Sequence, residues 1–355
     1  LKRKAEINMD QNIFPGVEWK DTDGNKIEAH GGTMFIEKDT YYWIGEDKSH
    51  TDGLSSVWTW GVNLYTSQDL YHWENQGHII DPSDEINSIF HPSRKLDRPH
   101  LLKCPSNGKY VLWLKFSGED ADYAVLQADH IHGPYKVLQE HFRPFGYKCG
   151  DFDLAQDAEN TKAYLYFEAN HTKMYVCELN ETYTDVSGLP KVIYENLYPP
   201  LTREAPAHFS RNGKHYLITS GMTGYIPNPS EVAVSSDFMG PFTVQENLCE
   251  EDESSATFNS QISCVFKVQE KDEYIAMADR WIPDVVMTKE KYNILLRAIQ
   301  SHFNPRIKVS MDEKMLLKEL PMLGTADTSK AQYVWLPIRF DGDQPVIAWK
   351  DEWKI

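Results

Sequence analysis

The sequence predicts an all-β fold, a five-bladed β-propeller with a helical insertion in the last blade, and three observations predict it. First, a short aromatic-rich segment recurs five times at intervals of roughly 50 residues, each followed by an alternating segment and a turn. The five are 41–46 (YYWIGE), 110–114 (YVLWL), 164–168 (YLYFE), 215–219 (HYLIT) and 274–278 (YIAMA). Second, turn chemistry repeats with them. Gly133-Pro134-Tyr135 and Gly240-Pro241-Phe242 stand at equivalent places, and Asn107-Gly108 and Asn212-Gly213 each lead into an apolar strand, as hairpin turns that need positive φ do. Third, 355 residues suit one domain of five four-stranded blades.

In chain order, residues 1–26 read as a leader and closing segment, with the turn-rich stretch Asp21-Thr22-Asp23-Gly24-Asn25 near its end. The propeller occupies 27–355. The aromatic segment of blade one is taken as its inner strand, followed by 62–67 (VNLYTS) and a turn at Asp69 to Trp73. Blades two and four repeat the scheme with 123–128 (YAVLQA) and 232–236 (VAVSS). Blade five is interrupted at 284–330, where 289–299 and 311–320 carry apolar residues at helical spacing. It resumes at 333–338 (YVWLPI). The insert reads as a packing decoration or, functionally, as a subsite wall or oligomer contact.

Charge narrows the partners. A net charge of −17 argues against a nucleic-acid groove and is compatible with a neutral oligo- or polysaccharide. The 10 Trp and 19 Tyr suit both blade packing and sugar stacking. Five cysteines without a CxxC pair read as reduced thiols, which favours a cytoplasmic location. A secreted or periplasmic one stays open if a targeting segment preceded Leu1-Lys2-Arg3-Lys4. No apolar run reaches the length of a membrane span. No cofactor is expected, a structural central ion such as calcium is left open, and the oligomeric state is not determined.

Four segments place charged groups immediately before the aromatic strands: Glu28-Ala29-His30-Gly31-Gly32, Leu96-Asp97-Arg98-Pro99, Cys149-Gly150-Asp151 and Arg203-Glu204-Ala205-Pro206. Phe258-Asn259-Ser260-Gln261 brings an amide to the corresponding place in blade five. In a propeller these converge on the axis, where charges lose water and need partners. Convergent carboxylates in a partly dry funnel suit glycoside hydrolysis, in which one must stay protonated to serve the leaving oxygen. If the reaction inverts configuration, the two catalytic groups should stand roughly 6.5–9.5 Å apart. His30 has no second His at ligand spacing, so no metal site is predicted. Ser220 and Ser260 lack a nucleophile-elbow context.

These segments, together with Asp47-Lys48-Ser49-His50, Pro227-Asn228-Pro229, Asp279-Arg280-Trp281 and 333–337 (YVWLP), resemble glycoside hydrolase family 43, and within it the exo-β-1,3-galactanases. The resemblance runs from about Pro15 to Trp353, the helical insert excepted. It implies an inverting five-bladed enzyme with Glu204 as general acid and Asp151 as the carboxylate that tunes it. The first-blade Asp base of most of the family is replaced by His30-Gly31. The galactanase branch implies Gln261 for handling water, through a rare imidic tautomer or by positioning alone, and so implies that Glu204 and Gln261 face each other across the hollow. Asp97 stands where that branch has Glu, which withdraws the carboxylate by one methylene. Met222 stands where a hydroxyl residue is usual, with Thr223 as its substitute. Glu46, Arg98 and Tyr123 are implied as hydrogen-bond partners of the terminal sugar, His30 and Thr223 as further substrate contacts, and Trp43 and Trp281 as apolar faces or blade core. Within the family, α-L-arabinofuranosidase or β-xylosidase activity is the alternative; outside catalysis, a glycan-binding propeller.

Overall fold

Apolar alternation and tight turns fold each repeat into an antiparallel sheet. A computed structural model describes residues 11–355 except 120, 158, 160, 196–200, 246–247 and 322–324; the Leu1 to Lys4 opening lies outside the described residues. Blade one comprises β1 (His30–Glu37), β2 (Thr40–Glu46), β3 (Val62–Ser67) and β4 (Glu74–Ile80). Blade two is β5 (Leu96–Lys103), β6 (Tyr110–Phe116), β7 (Asp122–Ala128) and β8 (Lys136–Phe142). Blade three is β9 (Cys149–Gln156), β10 (Ala163–Ala169), β11 (Lys173–Leu179) and β12 (Val186–Tyr194). Blade four is β13 (Arg203–Arg211), β14 (Lys214–Gly221), β15 (Ser230–Ser235) and β16 (Thr243–Gln245). In blade five a short β17 (Cys249–Glu250) runs parallel to the outermost strand of β18 (Gln261–Lys267), β19 (Tyr274–Arg280), β20 (Gln332–Asp341) and β21 (Gln344–Ala348).

The innermost strands are β1, β5, β9, β13 and β18, each touching its counterparts in the two adjacent blades to close a ring. This corrects the sequence reading by one strand. The aromatic segments are the second strands, β2, β6, β10, β14 and β19. They are aromatic because mid-sheet strands are covered on both faces by neighbouring blades, so both sets of side chains are apolar. The charged segments do not precede the inner strands; apart from Glu28 and Ala29, they begin them.

Closure joins residues 13–19 to blade five and the segment that follows it. Ile13 bridges to Trp353 and Val17 to Tyr333, and Trp19 packs on a cluster of Trp43, Trp73 and Trp335. Those three indoles are almost wholly buried, each worth about 4–6 kcal/mol of gross transfer free energy at 150–250 Å² of buried surface. Trp43 is therefore core. All five cysteines are buried, and among the described residues none forms a disulfide.

Between β19 and β20 lie α1 (Lys289–Phe303), capped by Thr288, and α2 (Met311–Leu316), opened by a Ser310/Glu313 capping box. Met287 and Leu295 of this region bury together with Ala256 of the β17–β18 loop, and Ile226 of the β14–β15 loop packs against them. The insert thus props that loop from outside.

Candidate active site

The starts of the inner strands share a local device. The residues following His30, Asp97 and Glu204 are Gly31, Arg98 and Ala205, with φ of +56°, +51° and +47°. In each strand the pairing register then slips. A left-handed residue at a bulge re-aims the side chain beside it. At Gly31 only glycine fits, since a Cβ would stand 2.3 Å from Glu46 Oε1.

The device opens a cavity of about 350 Å³, lined among others by Glu46, Asp97, Arg98, Lys115, Asp151, Glu204, Gln261 and Trp281. Its size is at the low end for small-ligand sites.

Asp151 is the best-compensated carboxylate. Its Oδ1 takes a hydrogen bond from Lys115 Nζ at 2.6 Å, and its Oδ2 from Arg98 Nη2 at 3.0 Å and Ala205 N at 3.1 Å. Burial pushes its pKa up, but Arg98 and Lys115 more than cancel this and hold it well below the usual carboxylate range. Glu204, at the start of the next inner strand, is pushed up to about 8 by burial first and by the Asp151 charge second, against Lys115 and Arg98. Glu46 also lies above its ordinary value, raised by burial and Asp97 against Lys48. Its Oε1 accepts from Arg98 N at 2.9 Å, and its Oε2 is 2.6 Å from Lys48 Nζ.

Gln261 has a determined orientation. Its Oε1 accepts from Arg98 Nη2 at 2.6 Å and Trp281 Nε1 at 3.1 Å. Both partners can only donate, so the amide oxygen must face them. Nε2 then donates to Ser220 Oγ at 2.9 Å and approaches Glu204 Oε1 at 3.4 Å. An imidic hydroxyl at Oε1 would point a proton at two donors, so this network favours the ordinary amide. The expected separation across the hollow is not found: Glu204 and Gln261 are neighbours. The cause is topological, because β13 and β18 are adjacent in the ring while blades one and two lie opposite Glu204.

Asp97 is reached by loop donors, Trp58 Nε1 at 2.6 Å and Ser117 Oγ at 2.5 Å, with Lys115 Nζ at 3.6 Å. Three predicted contacts stand elsewhere. His30 is wholly buried, its Nδ1 2.8 Å from Asp279 Oδ1 and its ring stacked on Tyr333. Tyr123 is core, and its hydroxyl donates to Gly150 O at 2.9 Å, supporting Asp151 from behind. Thr223 closes its own loop, donating to Ile226 O and accepting from Asn228 Nδ2, both at 2.6 Å; Met222 lines the cavity instead.

Sequence reading missed Lys115, Trp58, Tyr225 and His171, all of which line the cavity. Only Lys115 left a signal. Counting back from the Asn107-Gly108 turn with a one-residue bulge pairs it with Asp97. Among the described residues, no group of three or more His, Cys, Asp or Glu could hold a metal ion.

The model for glycosyl hydrolases family 43 matches residues 29–280. Among solved structures, the family 43 β-1,3-galactosidase BT0265 shares 30% identity with a TM-score of 0.78, covering 98% of this chain and 64% of its own. An exo-β-1,3-galactanase from Phanerochaete chrysosporium, solved with β-1,3-galactotriose, shares 26% identity with a TM-score of 0.76, covering 97% of this chain and 68% of its own. That from Clostridium thermocellum shares 27% at 0.73, covering 97% and 66%. This chain thus spans 64% of the length of BT0265. No curated protein matches the sequence. The family match takes in the strand ring and every cavity-lining residue except Trp281, and the chain belongs to glycosyl hydrolases family 43.

Proposed function

We propose that this chain is an inverting exo-glycosidase that releases single galactose units from β-1,3-galactan. One observation carries the reading: buried Glu204, its pKa pushed up to about 8 by burial and the Asp151 charge, stands one inner strand from Asp151, which Arg98 and Lys115 bind directly and hold low. Two carboxyls one blade apart with opposed protonation are what an acid-assisted cleavage needs. Glu204 gives its proton to the glycosidic oxygen as the C1–O bond breaks. Asp151, Arg98 and Lys115 hold hydroxyls and set the charge around the acid. Gln261 has only N–H groups to offer the cavity, so it orients the acid and the sugar. The water adding from the far face gives its proton to a carboxylate of blade one or two, Glu46 or Asp97, which line the cavity opposite the acid. Galactose as substrate rests on the two galactanases and the galactosidase named above, and an exo mode on a small cavity rather than an open groove.

The test is the anomer released first from β-1,3-galactan, followed by NMR. α-Galactose appearing as the only early product supports the reading, and β-galactose ends the case for inversion. Arabinose or xylose released from aryl pentosides, with no galactose from galactan, moves the specificity within the family. Binding without turnover leaves a glycan-binding propeller. Azide rescue of Glu46→Gln or Asp97→Asn, read as glycosyl azide, identifies the group on the water side.

A further inference from the structure

The turn between β10 and β11 is built against the strand that carries Glu204. Asn170 and His171 both adopt left-handed φ there, +56° and +55°. Thr202, buried and two residues before Glu204, donates from Oγ1 to His171 O at 3.1 Å. The His171 ring is held as well, with Nδ1 3.2 Å from Glu168 Oε2. Glu168 is almost wholly buried, and only glycine at 150 leaves it room, because a Cβ there would lie 1.7 Å from Glu168 Oε2. Yet the His171 side chain is 63% exposed and lines the cavity. A fixed ring on a fixed turn, with one nitrogen committed to a buried carboxylate, leaves Nε2 as the polar atom offered to a ligand.

Its position says which part of the ligand. The acid must meet the glycosidic oxygen, so what lies just outside the acid is the departing portion of the substrate. Nothing in the cleavage of the terminal unit itself needs His171.

We propose that His171, oriented by Glu168, is the contact for a hydroxyl of the saccharide that leaves, and so favours oligosaccharides over substrates whose leaving group has no such hydroxyl. The proposal rests on Glu204 being the acid. A hydroxyl both donates and accepts, so it can pair with Nε2 in either protonation state of the ring.

The experiment compares kcat/KM for β-1,3-galactobiose with that for 4-nitrophenyl β-galactoside in wild type and His171→Asn. Asn tolerates the left-handed backbone but its amide is too short to take the place of Nε2. The galactobiose-to-aryl ratio should fall about tenfold, the size of one hydrogen bond. Glu168→Gln, which keeps the shape but loses the charge that fixes the ring, should lower the same ratio by less. A ratio unchanged in His171→Asn, whether both rates fall together or neither does, overturns the proposal. Wild type that hydrolyses neither substrate would instead sink the glycosidase reading and this one with it.

Discussion

Asp151 and Glu204 open neighbouring inner strands and face one cavity, yet one is held as an anion and the other as an acid. Burial pushes both upward. The difference is in the cations: Asp151 takes direct hydrogen bonds from Lys115 and Arg98, whereas Glu204 feels them only at a distance and has an amide as its nearest partner. Ionisation in this funnel is thus set by which carboxylate captures the donors, more than by how dry each one is.

Removing the proposed acid breaks the comparison outright. Glu204→Gln should lower kcat on galactan about 10³-fold, within the range for a lost general acid, while galactose affinity measured by calorimetry persists. Asp151→Asn attacks the other side. It should lower kcat about 10²-fold and move the alkaline limb of the pH–rate profile below the wild-type position near 8, because the anion that helps raise Glu204 is gone. Lys115→Met should sharpen the contrast, with a loss of about tenfold at neutral pH and an alkaline limb above the wild-type one, since Lys115 opposes the protonation of Glu204. A limb that stays put in both variants would show that the two carboxyls are not coupled.

Stability should follow the same signs. Glu204 has a raised folded-state pKa, so its contribution is fully present below its unfolded value of about 4.5 and is lost as pH rises through about 8. Glu204→Gln should therefore gain a few degrees in melting temperature relative to wild type at pH 9, and less at pH 4. His208 extends the comparison to a buried cation site without a counter-charge. Burial, and then His215, lower it to about 3, so the unfolded chain binds the proton more readily below about pH 6.5. Wild-type melting temperature should fall as pH drops from there toward 3, and His208→Gln should flatten part of that slope in differential scanning fluorimetry.

Much of the candidate site was legible because the residues that begin the inner strands recur at blade spacing. Asp97, Asp151, Glu204 and Gln261 stand there, and a repeat fold brings equivalent positions together whatever their separation along the chain. Lys115 was not legible because its role depends on cross-strand register, displaced by a bulge. Trp58 and Tyr225 sit on loops whose reach no pattern encodes. His30, Tyr123 and Thr223 carry suitable polar groups, but neighbouring blades or their own loop engage them first.

The amino-acid sequence by itself determined the five blades, their order and which segments meet at the axis, because hydrophobic period and turn chemistry act over a few residues. Only the tertiary structure decided that Glu204 lies beside Gln261 rather than across from it, which carboxyl holds its proton, and how a buried Glu168 orients His171. Those follow from distances of a few ångströms between side chains on different blades, where desolvation and charge compete and no local pattern records which one wins.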